Sequence, residues 1–115
     1  MATYSVDGKA LTDWDAFHTI FAETFNFPSY YGRNRNAWID CMGDVSEMDG
    51  SNSITTLLVH NAKSLKANNP EIYDAIVECS AFVNYRYVSE GDPPVLVLAF
   101  WLNEVSEYDA PKRAG

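Results

Sequence analysis

Apolar and polar residues recur along this chain with periods that change from block to block, and each period names an element. Tyr4 and Val6 share one face of a short strand over 3–6, and Asp7-Gly8 follows as a tight-turn signal. Thr12-Asp13-Trp14-Asp15 resembles a capping box with Asp in the place of Glu. It opens a helix whose Trp14, Phe17, Ile20, Phe21 and Phe25 recur every three or four residues, the spacing of a core-facing stripe. Asn26-Phe27-Pro28 ends that helix, because the residue before a proline avoids helical angles. The pattern then predicts a second helix over 34–42, with Ala37, Trp38, Cys41, Met42 and Val45 buried and Gly43 as its C-terminal glycine. A polar loop is expected over 44–52. Setting Gly50 on the invariant glycine of a calcium loop puts Val45 and Thr56 where acids are required, which excludes calcium.

A β-branched strand follows over 54–59, then a connection over 60–67 with some helical character. Asn69-Pro70-Glu71 starts a third long helix: a capping Asn, a proline at the first position and an acid at the positive end. Its stripe is Ile72, Ala75, Ile76, Cys79, Phe82 and Val83, and it stops before Gly91-Asp92-Pro93-Pro94. The apolar run over 95–102 reads as a strand covered on both faces. Strands alternating with helices imply an α/β domain: a three-stranded, mainly parallel sheet, three main helices and a short connecting one. One domain is expected over 1–102, and 103–115 loses periodicity as a partly disordered tail.

Composition narrows the function. At 115 residues the chain supports one core. No apolar run approaches the roughly 20 residues of a membrane span, and the N-terminus shows no signal-peptide pattern, so the cytoplasm is expected. Cys41 and Cys79 fall on buried stripes and read as core thiols rather than as a disulfide. Sixteen acids against eight bases leave a net charge of −8. Phosphate backbones and anionic membranes repel such a surface, whereas a basic protein is attracted to it. The same acidity also serves plain solubility, and composition alone favours that blander reading.

Catalytic chemistry finds little to use. His18 and His60 have no exposed cysteine to activate, since both thiols lie on helical stripes. The chain has neither zinc-ligand spacing nor a glycine-rich phosphate loop, so no metal or cofactor is expected. Asp40 and Glu78 could form a carboxylate pair, but any acidic protein offers such pairs. A binding protein is therefore favoured over an enzyme.

The second helix carries the clearer signal. Its buried stripe puts Asn36 and Asp40 on the opposite face, with Ile39 between them and at least partly exposed. Arg33 and Arg35 stand at the positive end of the helix and Asp40 toward its negative end, each the less stable arrangement. Local rules broken in this way mark either a functional surface or a solvated face of small cost. Tyr30 and Tyr31 just ahead tilt the balance, because stiff amphipathic rings suit an interface. Tyr31 is expected to be the more buried of the two.

Pro28-Ser29-Tyr30-Tyr31-Gly32-Arg33-Asn34, followed by Ala37, Asp40 and Cys41, resembles the barstar family of small acidic ribonuclease inhibitors. The resemblance implies a three-stranded parallel sheet packed with helices, and a loop and second helix that plug a ribonuclease active site. It implies that Tyr30, Gly32 and Asn34 contact the enzyme, that Asp40 occupies its phosphate site, and that Glu78 is an accessory acid. Arg35, Asn36 and Ile39 would lie in the same interface, where the family has an apolar residue, an aspartate and a tryptophan. The expected partner is a basic ribonuclease or nuclease toxin, and the free protein is expected to be a monomer. The alternatives are a barstar-like protein-binding adaptor and a small hydrolase using Asp40, Glu78 or His60.

Overall fold

The computed structural model describes residues 2–48 and 54–101, with the side chains of 46–48 excepted. In chain order they form β1 (Ala2–Asp7), a 3-10 turn (Gly8–Ala10), α1 (Trp14–Phe25), α2 (Arg35–Met48), β2 (Thr55–His60), α3 (Ala62–Asn68), α4 (Pro70–Val88) and β3 (Leu96–Phe100). The strands lie in the order β1-β2-β3 and every pairing is parallel. Parallel neighbours need long crossovers, and here α1 with α2 and then α3 with α4 supply them.

The core forms where the sheet meets the helices. Leu57 and Val59 of β2, Phe21 of α1, Trp38 of α2, and Ile76 and Val83 of α4 have no exposed surface. Removing an aliphatic or phenyl side chain of this kind from water contributes about 1.5–3 kcal/mol. Register brings Val6 opposite Val59 and Leu57 opposite Leu98, so one face presents a continuous apolar surface. Cys41 and Cys79 are buried free thiols, as expected, and burial raises both pKa values.

Several local expectations change. The Asp7-Gly8 signal closes no hairpin, since β1 and β2 are parallel; Asp7 instead caps the 3-10 turn by accepting from the Lys9 amide at 2.9 Å. Asp13, not Thr12, caps α1, accepting from the Ala16 amide at 2.8 Å. Asn69 precedes α4, but its side chain donates to the Leu11 carbonyl at 3.3 Å and leaves the helix end uncapped. The run at β3 is not covered on both faces: Val97 is 44% exposed. An edge strand packed by helices on one side leaves its alternate residues in water. Phe82 is also exposed, at 58%, because it lies on the flank of the stripe set by Ile76, Cys79 and Val83.

Gly43 does not end α2. The helix runs on to Met48, taking in residues expected to be loop, because the apolar repeat of Trp38, Cys41 and Met42 continues at buried Val45. The remainder of the expected loop, 49–52, and the expected tail, 103–115, lie outside the described residues.

Gly8 meets a tighter constraint. A Cβ placed there would sit 2.8 Å from the His60 carbonyl oxygen and 2.9 Å from that of Asn61. Both are backbone atoms at the end of β2, so neither can move cheaply. Gly8→Ala is expected to lower the free energy of unfolding by about 1–3 kcal/mol, the usual range for overpacking, as measured by urea denaturation. An unchanged midpoint would mean that the turn relaxes freely.

Candidate protein-binding site

The loop over 26–34 leaves α1 through Asn26, whose left-handed backbone (φ 56°) turns the chain away from the helix. Two clasps hold this loop against α1. Phe27 packs on Tyr31 with ring centroids 4.7 Å apart, and the Tyr31 hydroxyl hydrogen-bonds His18 Nδ1 at 2.5 Å. Arg33, itself left-handed at φ 54°, donates Nη2 to Asp15 Oδ1 at 2.7 Å, to the Asp15 carbonyl at 3.1 Å and to Thr19 Oγ1 at 3.2 Å. Tyr31 is half-buried by this packing while Tyr30, just ahead of both clasps, is 82% exposed, in the expected order.

Asn34 then starts α2 by accepting from the Ala37 amide at 2.8 Å through Oδ1. The arginines that crowd this helix end have compensating partners: Arg33 has Asp15, and the Arg35 guanidinium lies 5.5 Å from the centre of the Trp14 ring. Gly32 is exposed, and a Cβ there would come no closer than 3.4 Å, to Asn34 Nδ2. Its backbone therefore does not demand glycine. The missing side chain keeps that part of the loop low.

On α2, Asn36 and Asp40 are exposed as expected, but Ile39 is not. It is 7% exposed and belongs to the core. The expected stripe allowed for one packing surface, whereas α2 has two, one toward the core under Trp38 and one toward α4. The Tyr87 hydroxyl of α4 donates to the Gly43 carbonyl at 2.8 Å, and its ring lies 3.6 Å from where a Gly43 Cβ would be. Above this contact Tyr30, Ile39, Asp40, Gly43, Asp44, Val83, Arg86 and Tyr87 line a cleft of about 400 Å³.

Ion pairs cross from α2 to α4. Arg86 Nη1 donates to Asp40 Oδ1, with both side chains more than half exposed. Arg35 Nη1 lies 3.8 Å from Glu78 Oε1. The structure thus gathers Tyr30, Ile39 and Asp40 at one cleft and sets Arg35 with Glu78 beside each other. Gly32, Asn34 and Asn36 lie along the loop and the start of α2 that lead to it. Sequence reasoning missed Arg86, Tyr87, Asp44 and Val83. It also missed the apolar cleft of about 430 Å³ lined by Glu78, Ala81, Phe82 and Tyr85. His60, the candidate for hydrolysis, has its ring tilted 33° to that of Trp101, with the centroids 5.9 Å apart.

These features define a helix-flanked parallel α/β protein that presents an aromatic loop and an acidic helix. The family model described as barstar (barnase inhibitor) matches residues 1–99, and the chain belongs to the barstar family. No curated protein matches the chain. Membership supports, at family level, inhibition of a barnase-like ribonuclease. Among the described residues no helix is long and apolar enough to cross a membrane.

His18 makes one consequence of the loop clasp measurable. Burial, and then the nearby Arg33 charge, lower its pKa below the ordinary 6.5, while Asp15 acts weakly the other way. The native state therefore takes up this proton later than the unfolded chain does. Its contribution is fully present above the unfolded pKa and is lost as pH falls from there toward the folded pKa. The urea midpoint is expected to drop between about pH 7.5 and about pH 5, and to drop less in His18→Gln. Equal drops would remove His18 as the cause.

Proposed function

We propose that this protein inhibits a ribonuclease or nuclease toxin by non-covalent occlusion, using the loop and helix face from Tyr30 to Asp40. The observation that carries the reading is that an 82% exposed Tyr30, next to the Tyr31 and Arg33 anchors that tie the loop to α1, shares one cleft with Asp40. Anchoring the adjoining residues leaves less backbone entropy to lose when the exposed ring is covered by a partner. The Asp40 carboxylate would stand in for a substrate phosphate against basic catalytic groups, which ionised acceptors bind strongly. Ile39 would act from beneath as the floor of the cleft and Gly32 would let the partner approach the loop backbone. Asn36 would hydrogen-bond, and Arg35 with Glu78 would meet the rim. Asn34 would serve chiefly by capping α2, since its side-chain oxygen is already used there.

The reading includes a basic partner, a monomeric free state and a place in the cytoplasm. Catalysis of its own is not part of it, because Asp40 and Glu78 each face an arginine. One observation favours the adaptor alternative. Phe82 and Tyr85, at 58% and 65% exposure, offer apolar contact on α4 for a partner that is not a nuclease.

The test is a titration of the protein into RNA-cleavage assays of barnase and of ribonucleases purified from the producing organism. Stoichiometric loss of cleavage is expected for at least one enzyme, and no loss for any would favour the adaptor. With the inhibited enzyme, Asp40→Ala is expected to cost on the order of 2–5 kcal/mol of affinity, as for a charge pair truncated inside an interface. Glu71→Ala, an exposed acid at the far end of α4, is expected to change it by less than about 0.5 kcal/mol. Equal effects of the two substitutions would remove the phosphate-mimic role.

A further inference from the structure

The acid expected to meet the partner is already engaged. Arg86 Nη1 donates to Asp40 Oδ1 across the α2–α4 boundary, and both groups line the cleft beneath Tyr30. Neither is locked by burial: the side chains are 53% and 61% exposed, for Arg86 and Asp40 respectively. Arg86 occupies the last turn of α4, where the helix dipole favours a cation and holds it near the acid.

We propose that Arg86 is a built-in competitor for the partner's cation, holding Asp40 in an ion pair that a bound partner must displace. For the identity of that partner the proposal rests on the inhibitor reading; the competition itself does not. Two effects act together. A cation arriving at Asp40 exchanges one exposed ion pair for another, so the first contact brings little net gain. The displaced guanidinium stays tethered beside the site at high effective concentration and repels an incoming positive group. A partner must therefore bring more positive charge than a single side chain, as a phosphate-binding centre does. Arg86 in this way sets a threshold on what the face will hold. Arg35, 3.8 Å from Glu78, stands in the same relation to the accessory acid but more loosely.

A double-mutant cycle tests this with two probes: a nona-arginine peptide, and whichever ribonuclease the cleavage assays identify. Arg86→Gln keeps the length of the side chain and removes the charge. It is expected to bind the peptide roughly two- to fivefold more tightly than the unmodified protein, the range of an exposed ion pair. In an Asp40→Asn background the gain specific to the pair should vanish, leaving only the small change due to total charge. Thermal melts of all variants exclude loss of fold as the cause. Weaker binding in Arg86→Gln would mean that Arg86 contacts the ligand, and would overturn the proposal. So would no change, or the same gain with Asp40 present and absent. Tightening toward the peptide with no ribonuclease inhibited would leave the competition standing and remove the inhibitor reading instead.

Discussion

The approach of α4 to α2 at Gly43 is the contact on which the candidate face depends. With no side chain at Gly43, the Tyr87 ring lies against the backbone of α2 and its hydroxyl satisfies the Gly43 carbonyl. A glycine in the middle of a helix costs up to about 1 kcal/mol relative to alanine. A Cβ there would meet Tyr87 only at ordinary contact distance, 3.6 Å, so the approach does not require the glycine; it is the approach itself that brings Arg86 to Asp40, Val83 to the cleft wall and Ile39 under cover. Without it α2 would present a solvated outer face. With it, α2 and α4 share one cleft.

The loop is held by a separate set of forces. His18 and Asp15 lie on α1, and each anchors one part of the loop, through the Tyr31 hydroxyl and the Arg33 guanidinium. The backbone at exposed Tyr30 is therefore placed by the anchors on its neighbours and not by burial of its own ring. The arginines that offend the helix dipole of α2 follow the same logic. Their cost is local, while their compensation comes from Asp15, Trp14 and Glu78 on other elements. A broken local rule here reflects tertiary pairing, with function an additional reading of the same residues.

Much of the architecture was legible because it rests on period and punctuation. The stripe of α1, the stripe of α4 apart from Phe82, the break at Pro28, the proline start at Pro70 and the β-branched core of β2 appear as expected. So does the contrast between Tyr30 and Tyr31. Expectations failed where one residue can play two parts. Gly43 read as a stop and serves as a helix contact; Ile39 read as exposed and packs between two surfaces; Phe82 read as core and faces water. Period alone reports that a helix has a buried side, but the width and edges of that side belong to its neighbours.

Spacing along the chain was enough to set the element order, the parallel sheet implied by alternating strands and helices, and a Tyr-Tyr-Gly block leading into a helix with Asp40. These depend on local spacing and on backbone preferences that each residue carries with it. Helix packing, by contrast, set Arg86 against Asp40, forty-six positions away, and Arg35 beside Glu78. Such pairings arise from which face of α4 lies against α2. That choice is made by the packing of both helices on one core and leaves no periodic trace in the chain.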